Sequence, residues 1–180
     1  MRNRLVHIDL PGHAHELTFS CLRKQPFLLH QKWCAILADA IVVARDKHSF
    51  SLWAYVFMPS HVHLLIRPNK PGYSTAAILQ AIKQSSSRKI LRECRARNVD
   101  LSRFATGQKD RPLRFWQSGP GYDRNVTSSK ALKNSIMYIH ANPVRKGLVT
   151  LPEEWHWSSA VAWQGDRNGP LPVDVDSIEC

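Results

Sequence analysis

A chain of 180 residues is long enough for one well-packed domain and leaves little room for a second large one. Twenty-five Lys and Arg against fourteen Asp and Glu give a formal net charge of +11, which points to a polyanion, nucleic acid first, although a basic surface that is merely solvated would look the same. The cysteines, Cys21, Cys34, Cys94 and Cys180, lie far apart with no CxxC pair, which argues against a zinc site or a disulfide framework. No apolar run is long enough for a signal peptide or a membrane span, so a reduced cytoplasmic setting is expected.

In chain order, the Pro11-Gly12 turn signal is followed by HAHELTFSCL (13–22), whose alternation predicts a first strand. Trp33, Ile36, Leu37, Ala40, Ile41 and Ala44 recur at helical spacing and predict a core-facing helix over 31–47. FSLWAYVFM (50–58) is apolar on both faces, as in a buried central strand. After the Pro59-Ser60 break, HVHLLIRP (61–68) predicts a third strand and hairpin partner. Ser74 is a candidate N-cap for a long helix running to about Arg97. Residues 98–112 read as a loop, and LRFWQ (113–117) as a fourth strand ended by SGPG. A helical pattern begins near Ser129 and runs to Asn142, where Pro143 is expected to stop or kink it. The β-α-β-β-α-β order predicts an α+β, ferredoxin-like (split βαβ) antiparallel sheet with helices on one face and an additional C-terminal helix. Residues 1–163 are expected to form a single domain, with 164–180 as an irregular tail.

Two short patterns carry chemistry. In His61-Val62-His63 the strand alternation puts both imidazoles on one face, about 6–7 Å apart along the chain, where they can converge on one cation. A single histidine here would read as a hydrogen-bonded core residue. Two in a continuous apolar strand ask for a stronger reason, and a metal is the commonest. A second pair, His13 and His15, stands at a strand entrance; it reads mainly as structural, with His15 left open as a neighbour of the site.

The other pattern is Tyr138-Ile139-His140-Ala141-Asn142-Pro143. On a helix, Ser135, Tyr138 and Asn142 share one face while Leu132, Ile136 and Ile139 share another. An anchored apolar face would present Tyr138 and Asn142 together, a phenol nucleophile and a neutral oxygen ligand. Taken alone, the same residues fit a packing tyrosine and a helix-ending asparagine.

VFMPSHVHLLIRP, SIMYIHANPVRKGLV and EEWHWSS together resemble the single-tyrosine HUH transposases, IS200-like enzymes, and most closely their REP-associated tyrosine transposase branch. The likeness runs from the first strand to about Ala160, and Ser60 departs from the Asn often found there. The resemblance implies a DNA strand nuclease and transferase that recognises hairpin-forming single strands. It assigns metal ligation to His61, His63 and Asn142, with Mg²⁺ or Mn²⁺ polarising the scissile phosphate and two imidazoles favouring Mn²⁺. It assigns the nucleophile to Tyr138, whose attack leaves a 5′-phosphotyrosine and a free 3′-OH, a bond that can be rejoined without ATP. Arg67, Lys83, Arg88, Lys89, Arg92, Arg95, Arg145 and Lys146 form the candidate DNA track, although each alone reads equally as a solvated charge. No membrane partner is expected, and monomer and homodimer both stay open.

Three other readings compete. A histidine phosphoesterase would need a third histidine where Leu65 stands. A replication initiator or relaxase shares the HUH chemistry but carries extra tyrosines, a third histidine or helicase domains. A domesticated, non-catalytic DNA-binding protein of the same fold is the alternative that composition leaves open, and the intact His61, His63, Tyr138 and Asn142 weigh against it.

Overall fold

A computed structural model describes Asp9 and residues 12–178. The basic segment before Asp9, Pro11 of the turn signal and Cys180 lie outside the described residues. Four strands, β1 (Ala14–Ser20), β2 (Phe50–Met58), β3 (His61–Pro68) and β4 (Tyr122–Val126), form one antiparallel sheet in the order β2-β3-β1-β4. Helices α1 (Gln31–His48) and α2 (Thr75–Ala96) cover one face, α3 (Ser129–Arg145) covers the other, and a short α4 (Ala160–Trp163) follows. This is the ferredoxin-like arrangement with an added helix.

Strand alternation sorts the side chains into two cores. Leu17 and Phe19 of β1 and Val62, Leu64 and Ile66 of β3 pack with α1 and α2. Ala14 of β1, Leu65 of β3, and Val56 and Met58 of β2 pack with Ile136 and Ile139 of α3. In β2 the register shifts between Leu52 and Ala54, and this bulge lets the consecutive Trp53 and Ala54 both enter the α3-side core.

Three expectations need correction. LRFWQ is not the fourth strand: Phe115 and Trp116 are buried, but their segment only flanks the end of β1, with Leu22 N–H donating to the Phe115 carbonyl and Gln117 N–H to that of Ser20. Aromatic content marked it as a strand, whereas the real β4, YDRNV, is a short edge strand with a polar Asp-Arg-Asn centre that includes weak β-formers. Nor is β2 a central strand. It ends the sheet, and its apolar run is explained by what covers its edge: Phe57 N–H donates to Trp157 O, Ser159 N–H to Tyr55 O, and Asp174 N–H to Leu52 O. Residues 164–178 are thus irregular but docked, with Leu171 in the main core. Finally, α3 continues through Pro143 to Arg145. Asn142, which a following proline biases away from helix, is held by its own amide donating to the Tyr138 carbonyl at 2.8 Å.

Among the described residues no helix is long and apolar enough to cross a membrane. Cys21, Cys34 and Cys94 are buried free thiols, and burial pushes the first two up to about 12, so neither offers a thiolate.

Candidate active site

The pairing of β1 with β3 sets Thr18 opposite His63 and Ser20 opposite His61. His61 and His63 therefore face α3, as does Thr18. Their ring centroids are 5.0 Å apart, and the Tyr138 ring stands edge-on to His63 at 5.7 Å. Ile136 and Ile139, buried one turn apart, clamp α3 on the sheet and leave Tyr138 two-fifths exposed beside the histidines. Asn142 is buried one turn further on, its amide nitrogen occupied by the backbone, so its carbonyl oxygen is the atom left to coordinate.

The histidines fit a divalent cation. His63 Nδ1 is 2.9 Å from Thr18 Oγ1, while its Nε2 is buried with no hydrogen-bond partner. If Nδ1 carries the hydrogen and gives it to Thr18, Nε2 presents a lone pair, the orientation a metal-binding imidazole takes from an outer hydrogen bond. Burial pushes His63 down to about 4, helped by His61. His61 is lowered by burial and then by the charges of Lys146 and Lys24, and its Nδ1 is 3.3 Å from Ser60 Oγ, so serine serves as an orienting group here. Both rings are thus neutral at pH 7, the state a metal requires. An uncompensated buried imidazole nitrogen is otherwise costly.

The candidate basic residues divide between the two faces. Arg145 lies over the Tyr138 ring, its Cζ 5.0 Å from the centroid, and Lys146 is close enough to act on His61. Arg67, on the same face of β3, is stacked at 5.8 Å on Trp53. Lys83, Arg88, Lys89, Arg92 and Arg95 belong to α2, across the sheet from Tyr138. Lys83 is spent on structure: its ammonium donates to the carbonyls of Gln117 and Gly119 at 3.0 and 2.9 Å, and burial, with Arg114 nearby, pushes it down to about 8.

His15 does not join His61 and His63. It points to the α1/α2 face, where its Nδ1 donates to Asp123 at 2.8 Å and its Nε2 pairs with the Tyr73 hydroxyl at 2.8 Å. Asp9, His15 and Asp123 bring their ligand atoms within 4.8 Å of one another, with Thr75 bonded to both carboxylates. Both nitrogens of His15 are engaged there, so the group fits a cation less well than His63 does. Thr18 and Lys24 were missed by sequence reasoning, and Ser60 was singled out only as a departure from the family's Asn, not as a partner of His61. So was the Glu16–Arg124 pair, in which Arg124 Nη2 is 2.5 Å from Glu16 and 2.8 Å from Ser135 of α3. Glu16 and Arg124 are register partners, and register cannot be read from one strand.

A ferredoxin-like sheet with two histidines on a central strand, faced by a helix-borne tyrosine, is the architecture of a tyrosine transposase. Residues 13–142 match the family described as IS200-like transposase, and the chain belongs to that family. Among its relatives, a Haemophilus influenzae protein described as a REP-associated tyrosine transposase is 28% identical over 114 residues, 63% of this chain and 61% of its own length. The match thus spans less than two thirds of that relative. The solved structure of a REP-associated tyrosine transposase bound to a REP hairpin superposes over 98% of this chain and 95% of its own, at 19% identity and a TM-score of 0.69, which shows a shared fold. A crystal structure of a transposase from Deinococcus radiodurans covers 74% of this chain and 93% of its own, at 16% identity and a TM-score of 0.48, too distant to add to the argument.

Proposed function

We propose that this protein cleaves and rejoins single-stranded DNA beside a hairpin, in the cytoplasm, with Tyr138 as nucleophile and a divalent cation, Mg²⁺ or Mn²⁺, held by His61, His63 and Asn142. The observation that carries the reading is the buried, unpartnered Nε2 of His63 in a ring 5.7 Å from the Tyr138 ring. When bound, the cation would withdraw electron density from the scissile phosphate.

The protein's own groups do the rest. Thr18 and Ser60 hold the two imidazoles in a fixed orientation, and burial keeps them unprotonated. The guanidinium of Arg145, its Cζ 5.0 Å from the centroid of the Tyr138 ring, puts a positive charge beside the nucleophile, where it can meet the anionic phosphate. The Tyr138 oxygen attacks phosphorus as its hydroxyl proton passes to solvent, the bond to the 3′-oxygen breaks, and that oxygen takes a proton from solvent and leaves as a 3′-OH. The 5′-phosphate stays on Tyr138 as a phosphodiester, and an incoming 3′-OH reverses the step without an external energy source. The exposure of Tyr138 suits this role, because the hydroxyl must reach a strand that is not part of the protein.

The test is incubation with a labelled hairpin carrying single-stranded flanks and Mn²⁺, followed by denaturing electrophoresis. A covalent protein–DNA adduct is expected whose mapped peptide contains Tyr138, and Tyr138→Phe should lose it while retaining the fold and DNA binding. An adduct that survives in the Phe variant at an undiminished rate refutes the assignment.

A further inference from the structure

Across the sheet from Tyr138, a cleft of about 590 Å³ opens between α2 and the 111–120 segment. Lys83, Arg88, Arg111 and Arg114 line it, with no acidic side chain. Among the described residues neither Arg88, Arg111 nor Arg114 takes part in an ion pair. Arg88 bonds only the Gln84 carbonyl of its own helix, and Arg114 the Gln108 side chain. Three guanidinium groups without counter-charges around one cleft repel one another, and a bound polyanion relieves that repulsion. The rim is built rather than loose, since Lys83 fixes the Gln117 and Gly119 carbonyls to α2.

The cleft's chemistry selects what part of a nucleic acid it takes. Its aromatic residues, Phe115 and Trp116, are buried, and the Trp116 indole N–H is bonded to Ser86, so no ring is offered for bases to stack on. Guanidinium groups and side-chain amides grip phosphate and sugar without reading sequence.

The cleft also connects to the catalytic face. Its rim ends at Gly119 and Pro120, and Gly121 then passes so close to β1 that a Cβ there would lie 2.5 Å from the Thr18 carbonyl. The next residue, Tyr122, opens β4 opposite Thr18, whose hydroxyl holds His63. Tyr122 is 47% exposed and shares the α3 face with Thr18. Two strand spacings, about 10 Å, separate its backbone from that of His63.

We propose that the cleft between α2 and residues 111–120 seats the sugar–phosphate backbone of the DNA on which this protein acts, and that the strand continues round the β4 edge, past Tyr122, to Tyr138. The proposal rests on the activity argued above and adds where the substrate is held, who holds it, and by which route it arrives. Arg111 and Arg114, which no sequence pattern singled out, become principal phosphate contacts.

The test uses the full chain and a fluorescein-labelled DNA hairpin with a single-stranded flank, with anisotropy measured from about 50 to 300 mM KCl. Replacing Arg88, Arg111 and Arg114 together by Glu should weaken binding at least ~100-fold, and the slope of log affinity against log salt should fall by about 2–3. The triple Gln variant, closer in shape and safer for folding, should show the same loss of slope, and the triple Lys variant should keep parental affinity within about threefold. We infer that a base of the passing strand stacks on the exposed Tyr122 ring, so Tyr122→Ala should lower adduct formation on the flanked hairpin about tenfold while leaving affinity for a blunt hairpin, which has no flank to pass there, unchanged. Folded Glu and Gln variants with parental affinity and slope overturn the proposal even when the parent binds and forms the adduct. A folded parent that binds no DNA at any salt overturns this proposal and the activity together.

Discussion

Lowering the pH should unfold this protein through two buried imidazoles. His63 and His140 are almost fully buried, and both are pushed down to about 4, burial being the largest cause in each. In the unfolded chain each takes a proton near its ordinary value of about 6.5. Above that pH both states are neutral and the groups contribute no pH dependence. Between about 6.5 and 4 the unfolded state binds two protons that the folded state refuses, so stability falls as the pH falls. At about 1.4 kcal/mol per unit for each group, moving from pH 7 to pH 5 costs roughly 4 kcal/mol, a large share of the 5–15 kcal/mol typical of a domain. His61 and His48 shift in the same direction and add to the loss. The lowered carboxylates, Glu93, Asp100 and Glu154, begin from about 4.5 or lower, so what they contribute is lost mainly from the foot of this window downward. The assay is the urea midpoint between pH 7.5 and 4.5, in parent and in His140→Gln, whose amide can still pair with the Ser159 hydroxyl that His140 meets at 2.8 Å. The variant should lose about half of the two-histidine dependence. Identical pH slopes in the two proteins would show that His140 is not the sensor inferred here.

Other consequences follow from the same geometry. Mn²⁺ at about a hundredfold excess over its dissociation constant should stabilise the fold by about 2.7 kcal/mol, a melting shift of roughly 5–10 °C, which should vanish in His63→Ala; an equal shift in that variant places the ion elsewhere. Arg145→Ala should cost the fold no more than about 1 kcal/mol of cation–π contact yet slow adduct formation about 10–100-fold, read as a fall in rate with little loss of DNA affinity. Lys83→Met should destabilise by about 1–3 kcal/mol through the unpaired Gln117 and Gly119 carbonyls, with the salt slope of DNA binding unchanged; a slope reduced by about one would make Lys83 a phosphate contact instead.

Legibility in the sequence tracks how local each feature is. The three main helices and first three strands show in periodicity because each buries one face or both against a core, and apolar spacing records that directly. β4 does not, because an edge strand reading Tyr-Asp-Arg-Asn-Val is chosen for its polar contacts: Asp123 bonds His15 and Thr75, and Arg124 bonds Glu16 and Ser135. The nearby aromatic segment looked more like a strand because Phe115 and Trp116 fill the core from a loop. Likewise β2 read as central because burial on both faces is what periodicity reports, and it cannot tell a neighbouring strand from the stretches at 155–159 and 171–174 that cover this edge.

The candidate site divides along the same line. His61 with His63, and Tyr138 with Asn142, are pairs within one element, so strand and helix geometry alone put each pair on one face. Thr18 is different, because it reaches His63 only through the pairing of β1 with β3. A slip of one residue in that pairing would turn Thr18 to the α1/α2 side and bring Leu17 or Phe19 toward His63. What forbids the slip is the burial of Leu17 and Phe19 in the core on the far side of the sheet. The orientation of the His63 ring is therefore encoded by two apolar side chains that never touch it. Large-to-small substitutions at either position, which cost ~2–5 kcal/mol through the cavity they leave, also loosen the register that keeps Nε2 facing Tyr138.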